Sequence, residues 1–176
     1  DVQLDPDGGV SVAIESVIDG KQGVRALAGT LSGWPDLLTV DSGNARLRMA
    51  VSTGRGGELE ASGIADLQDV GGVYNRTAVS GLSGRVRVSL ENSQVAGSFR
   101  DLAVGEINAG IPVSSVRFSA NYNAPMTELL AGTLEVQQAR ARFLEGTLRV
   151  PPAVYELAGG SGRIPVEVED ISLSRL

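Results

Sequence analysis

Glu167, Glu169 and Asp170 form the densest acidic cluster in the sequence. Paired carboxylates are what acid–base hydrolysis of a glycan needs. On a strand, however, alternating Glu first of all marks the face turned to water. The groups that would widen the chemistry are missing. The chain contains no His and no Cys. That excludes Ser-His-Asp and Cys-His nucleophiles, His- or thiolate-held zinc, and disulfides. Neither a G-x-x-x-x-G-K-[ST] phosphate loop nor a G-x-S-x-G elbow occurs. Asp5-Pro6-Asp7-Gly8 opens like a calcium loop, but the third ligand and the distal Glu do not follow, so it reads as a turn. Asn75-Arg76-Thr77 fits a glycosylation sequon, a pattern frequent by chance. Trp34, the lone Trp, reads as a plug at the end of a sheet. The residues therefore predict no enzyme, no metal site and no cofactor.

The elements that hold these residues are strands. Residues 162–173 read GRIPVEVEDISL: Ile164, Val166 and Val168 alternate with Pro165, Glu167 and Glu169. Side chains along a strand alternate between faces, so this stretch predicts one apolar and one charged face. The same alternation recurs at Val10 to Ile14, Val24 to Ala28, Ala45 to Val51, Val86 to Leu90, Val116 to Tyr122 and Leu144 to Val150. Turn signals lie at Asp7-Gly8-Gly9, Asp19-Gly20, Ser42-Gly43, Gly54 to Gly57, Gly71-Gly72 and Gly159 to Gly162. Short strands with Gly-rich turns predict an all-β, mostly antiparallel sheet with at most one or two short helices. The helix candidates are Asn123 to Leu130 and Pro35 to Leu38. Gly-Thr-Leu recurs at 29–31, 132–134 and 146–148, too irregularly for a solenoid repeat. Without a low-complexity linker, residues 1–176 form one domain.

Composition narrows the function classes. Apolar residues make up 42% and aromatics only 4%, so the apolar faces are built from Val, Leu, Ile and Ala. The formal charge is -6, with one Lys, Lys21, and Arg scattered along the strands. A nucleic-acid footprint needs clustered cations, so none is expected. No stretch approaches the ~20 apolar residues of a membrane-spanning helix. Asp1 and the lack of a signal peptide read as a segment excised from a longer protein. Alternation reports a face hidden from water, not what hides it. By itself it leaves open a sealed β-sandwich with a structural or adhesive role, or an open sheet whose apolar face serves a ligand.

Three stretches carry a family pattern: INAGIPVSSVRFSANYN at 107–123, GTLEVQQARARFLEGTLRVPPAVYELAGG at 132–160, and GRIPVEVEDISLSRL at 162–176. In this order they resemble the YdbH branch of the AsmA-like proteins, the group related to TamB; Glu145-Gly146 stands where that pattern has a Gly pair. The resemblance implies a curved sheet folded into an open apolar groove, and a protein of the Gram-negative periplasm anchored in the inner membrane by an N-terminal helix. It implies conduction of phospholipids to the outer membrane. It also implies three kinds of partner: lipid acyl chains, neighbouring groove modules of the same chain, and an outer-membrane lipoprotein of the YnbE type. The expected groove lining is Val86, Val88, Leu90, Val116, Phe118, Leu134, Val136, Leu144, Leu148, Val150, Ile164, Val166 and Val168.

Overall fold

The computed structural model describes residues 2–4, 10–19, 38–53, 58–157 and 163–172. Within them lie eleven strands: β1 (Val2–Leu4), β2 (Val10–Asp19), β3 (Leu38–Thr53), β4 (Leu59–Tyr74), β5 (Thr77–Glu91), β6 (Gln94–Asn108), β7 (Pro112–Pro125), β8 (Thr133–Phe143), β9 (Gly146–Val150), β10 (Ala153–Glu156) and β11 (Glu167–Glu169). All belong to one sheet and every pairing is antiparallel. The path runs β1 to β9 in chain order and ends on β11, with β10 beside β8. Its two ends do not meet, so the sheet is open and not a barrel. No helix occurs among the described residues.

Local chemistry explains the meander. Asn75-Arg76, Asn92-Ser93 and Leu144-Glu145 join consecutive strands through two residues with positive φ, the hairpin turn whose twist matches the strands. β9 and β10 lie end to end along β8 in one register, interrupted at Pro151 and Pro152, which have no N–H to donate.

Five strands carry an irregularity at neighbouring positions. Left-handed residues occur at Gly43 on β3, Asp69 on β4, Gly81 and Gly84 on β5, Asp101 on β6 and Ser115 on β7. The register shifts fall in the same places. These are bulges, which bend a strand and steepen its twist. A bulge also takes an N–H out of the ladder. The Asp69 amide is satisfied by the Ser83 hydroxyl at 2.9 Å and the Asp101 amide by the Ser119 hydroxyl at 3.0 Å, each from the next strand.

Several sequence expectations need correction. Ser42-Gly43 and Gly71-Gly72 are not turns but lie inside β3 and β4. Gly43 adopts φ +88, and a Cβ on Gly43 would collide with the backbone of Asp69 and Val70; at Gly72 it would collide with the Thr39 carbonyl. These glycines let neighbouring strands approach at bulges. Asn123 to Leu130 is not a helix: β7 runs through Pro125 and turns follow. The strand expected from Leu144 begins at Gly146, and within 163–172 the only strand is Glu167–Glu169. Pro165 cannot donate to a ladder. Asp5 to Gly8, Val24 to Ala28, Gly29 to Leu31, Trp34, Pro35, Gly54 to Gly57 and Gly159 to Gly162 lie outside the described residues.

Candidate functional site

Residues that pair across a ladder share a face, so the registers can be followed across the sheet. One row runs Ile14, Met49, Gly63, Val88, Gly97, Tyr122, Leu134, Tyr155 over eight strands. The next on that face runs Leu47, Ala65, Val86, Phe99, Ala120, Val136, Ala153. Past the bulges the same face continues as Leu102, Phe118, Ala139, Val150 and then Ala141, Leu148, Val168. The alternate row reads Glu15, Arg48, Ile64, Arg87, Ser98, Asn121, Glu135, Val154. One face is thus apolar from β2 to β11, and the other is mainly polar.

Alternation survives the bulges because the sequence shifts with them. On β4 the apolar-face residues are Ala61, Gly63, Ala65 and Leu67, and after Asp69 the parity moves to Val70. On β6 it moves from Phe99 to Leu102 across Asp101. Leu67-Gln68-Asp69-Val70, Phe99-Arg100-Asp101-Leu102 and Val168-Glu169-Asp170-Ile171 share an apolar–polar–Asp–apolar pattern, with the Asp at φ 54°, 51° and 55°. The first two mark the bulges of β4 and β6, a signal that the strand rhythm alone missed. A one-residue slip without it would turn the apolar set to the other face.

Among the described residues the apolar face is not sealed. Of the described apolar side chains only Ala120, Ala124 and Val136 are buried, and no large side chain is fully buried. Ile14, Met49, Val88 and Val168 stay 41–55% exposed. A sandwich core would bury such residues against a second sheet, and all described strands belong to one sheet. Side chains of adjacent rows shelter each other, as Phe99 and Phe118 do at a centroid distance of 6.0 Å. At the far end of the face, the turn after β7 is fixed by a hydrogen bond from the Tyr122 hydroxyl to the Leu129 carbonyl.

The expected lining is placed as follows. Val86, Val88, Leu90, Val116, Phe118, Leu134, Val136, Leu148, Val150 and Val168 fall on strands of the apolar face. Leu144 sits in the β8–β9 turn with φ 46. Ile164 and Val166 are exposed and precede β11 outside any ladder. The strand reading had Met49 and Ala120 in its apolar alternation, though not in the lining, and missed Ala65, Phe99 and Ala139, because small residues and bulges blur the alternation.

The polar face offers no reacting constellation. Glu167 and Glu169 are exposed on β11, and Glu169 lies 3.8 Å from Arg149. Asp170 follows the end of β11 with φ 55. No group of three acidic residues converges to hold a metal ion among the described residues. Asp66 accepts from Arg85 Nε at 2.5 Å and Arg48 at 3.2 Å. A shallow crevice of about 630 Å³ lies mainly on this face, among Ile64, Arg87, Ser98, Asn121, Glu135 and Val154, where Asn121 Nδ2 donates to Glu135 at 3.0 Å. A satisfied amide–carboxylate pair of this kind is structural.

These features define a class: an open antiparallel sheet whose functional surface is a continuous apolar face and not a set of reacting groups. The family model for YdbH-like proteins, described as intermembrane phospholipid transport protein YdbH, matches residues 16–176, and the chain belongs to this family. Membership implies intermembrane phospholipid transport, work between two membranes, and no known enzyme class. Comparison with curated proteins and with solved structures gives no match. No helix among the described residues is long and apolar enough to cross a membrane.

Proposed function

We propose that this chain is a segment of a periplasmic conduit whose apolar sheet face carries phospholipid acyl chains from one membrane toward the other. The observation that carries the reading is the unsealed apolar face running without a break from β2 to β11. Two acyl chains present about 30 methylene or methyl groups, and exposing them to water at ~0.8 kcal/mol each costs about 24 kcal/mol. An apolar track removes most of that penalty while the headgroup stays in water. Neighbouring residues within a row lie ~4.8 Å apart, the spacing of adjacent strands, so a sliding chain meets the same aliphatic chemistry at every step. Val, Leu, Ile and Ala provide cover without deep pockets that would trap the cargo. The bulge line supports a sheet folded along its length into an open groove, because each bulge bends its strand in turn.

The lining in this reading is Val86, Val88, Leu90, Val116, Phe118, Leu134, Val136, Leu148, Val150 and Val168, joined at the β11 end by Leu144, Ile164 and Val166. β1 and β11 end the described path, and strand edges of this kind accept further strands. Neighbouring groove modules and a lipoprotein of the YnbE type are the partners this predicts, with an inner-membrane anchor at the opposite end of the route.

Photo-crosslinking in living cells tests the track. Probes at Val88, Leu148 and Val166 are expected to trap phospholipid, and probes at Arg87 and Ser98 on the polar face are not. Equal labelling of the two sets would sink the assignment.

A further inference from the structure

We propose that the polar face of β7, β8 and β9 carries a binding site for a phosphate group, built from Arg117, Arg140, Arg142 and Arg149. Arg117 pairs with Arg140 and Arg140 with Arg149, so three cationic residues stand directly opposite one another across three strands. Arg142, two residues on, shares their face and pairs with Thr147. Like charges placed opposite each other in a sheet destabilise it. The chain is acidic overall, with 21 acidic and 15 basic residues, so a surplus of cation at one spot is not a by-product of composition. Arg85 also stands opposite Arg100, but there Asp66 bonds both Arg85 and Arg48. Here the near carboxylates lie on β11: Glu167 stands opposite Arg149 in the ladder, and Glu169 lies 3.8 Å from it. Among the described residues no carboxylate pairs with Arg117, Arg140 or Arg142.

The four side chains line one crevice of about 340 Å³ together with Ser115 and Thr147. Guanidinium groups match phosphate oxygens as bidentate donors, and the two hydroxyls supply further donors beside them. Ser115 holds φ +52, a backbone conformation uncommon for Ser, within the register shift that precedes Arg117. Such conformations concentrate where a binding surface is shaped. The ligand is a phosphate group, carried by a lipid headgroup at a membrane surface or free in solution. The site lies on the face opposite the apolar rows and stands whether or not those rows carry lipid.

The test is a titration of the 176-residue chain at low ionic strength, with inorganic phosphate in one arm and phosphatidylglycerol vesicles in the other. Saturable binding is expected in at least one arm; the arm that responds names the source. Arg140→Gln should weaken that binding by about tenfold, the scale of one charge-assisted pair. It should also leave the Tm of the unliganded protein unchanged or higher, because a like-charge contact is relieved. Arg87→Gln, on the same face but outside the crevice, should leave binding intact. Glu169→Gln should tighten binding by removing the competing carboxylate. No saturable binding in either arm, equal weakening by Arg87→Gln and Arg140→Gln, or no tightening in Glu169→Gln overturns the proposal.

Discussion

Asp66 shows how the polar face is held. Its hydrogen bond from Arg85 is the largest influence lowering its pKa below the ordinary 3.8, with Arg48 adding to it and desolvation opposing. A carboxylate with a lowered pKa contributes stability that is present above its unfolded value and is lost as pH falls through the folded one. Asp66→Asn should therefore lower the urea midpoint near pH 6, and the gap to the unsubstituted protein should close below about pH 4. Added salt should shrink the gap at every pH, since both partners are partly exposed. A gap independent of pH and salt would assign the contribution to packing. At this scale the sequence was legible in type and silent in partner. Arg48 and Arg85 sit 18 and 19 residues from Asp66, and only the strand registers bring them together.

Among the elements, the bulged strands decide the outcome. Gly43 holds φ +88 against the backbone of Asp69 and Val70. Gly43→Ala should cost about 1–3 kcal/mol, read from denaturant unfolding. Gly63 is a contrast on the neighbouring strand. A methyl there would meet only the Arg48 carbonyl and Met49 Cγ, both at 3.9 Å. Gly63→Ala should stabilise by about 0.4–1 kcal/mol, because it removes freedom from the unfolded chain without a clash. Both glycines look alike in sequence. Some strands announce themselves by alternating apolar and polar residues, as β5 and β7 do. β4 does not: Ala61, Gly63 and Ala65 present too little apolar bulk, and Gly71-Gly72 imitates a turn. β8 was not among the alternating stretches, while the strand at 162–173 shrank to Glu167–Glu169 because Pro165 interrupts the ladder.

At the scale of the whole molecule the question is whether the apolar face meets protein or stays open. Leu148 lies half-buried on that face, between Ala141 and Val168 in neighbouring strands. In an open sheet an Asp at 148 keeps contact with water. Leu148→Asp should leave the far-UV spectrum unchanged, cost about 1–2 kcal/mol, and abolish lipid crosslinking to Val88. Val136, 3% exposed, behaves as core. Val136→Asp should cost about 3 kcal/mol or more, since its charge has neither water nor partner. Equal costs for the two would indicate a sealed core at both positions.

The sequence by itself determined that the chain is all-β, that its strands have one apolar and one polar side, and that His- and Cys-based chemistry is excluded. It also carried the family pattern. Those properties are local: strand period, turn residues and the presence or absence of a side chain type are fixed without knowing what lies across the sheet. Tertiary structure alone decided which rows join into one face, that no second sheet among the described residues covers it, and that Arg117, Arg140 and Arg149 stand in line. Each depends on register, and register is set by where the bulges fall. A single bulged residue shifts every later side chain to the other face, so contacts between strands follow only once Asp69, Asp101 and Ser115 are seen in their left-handed conformations.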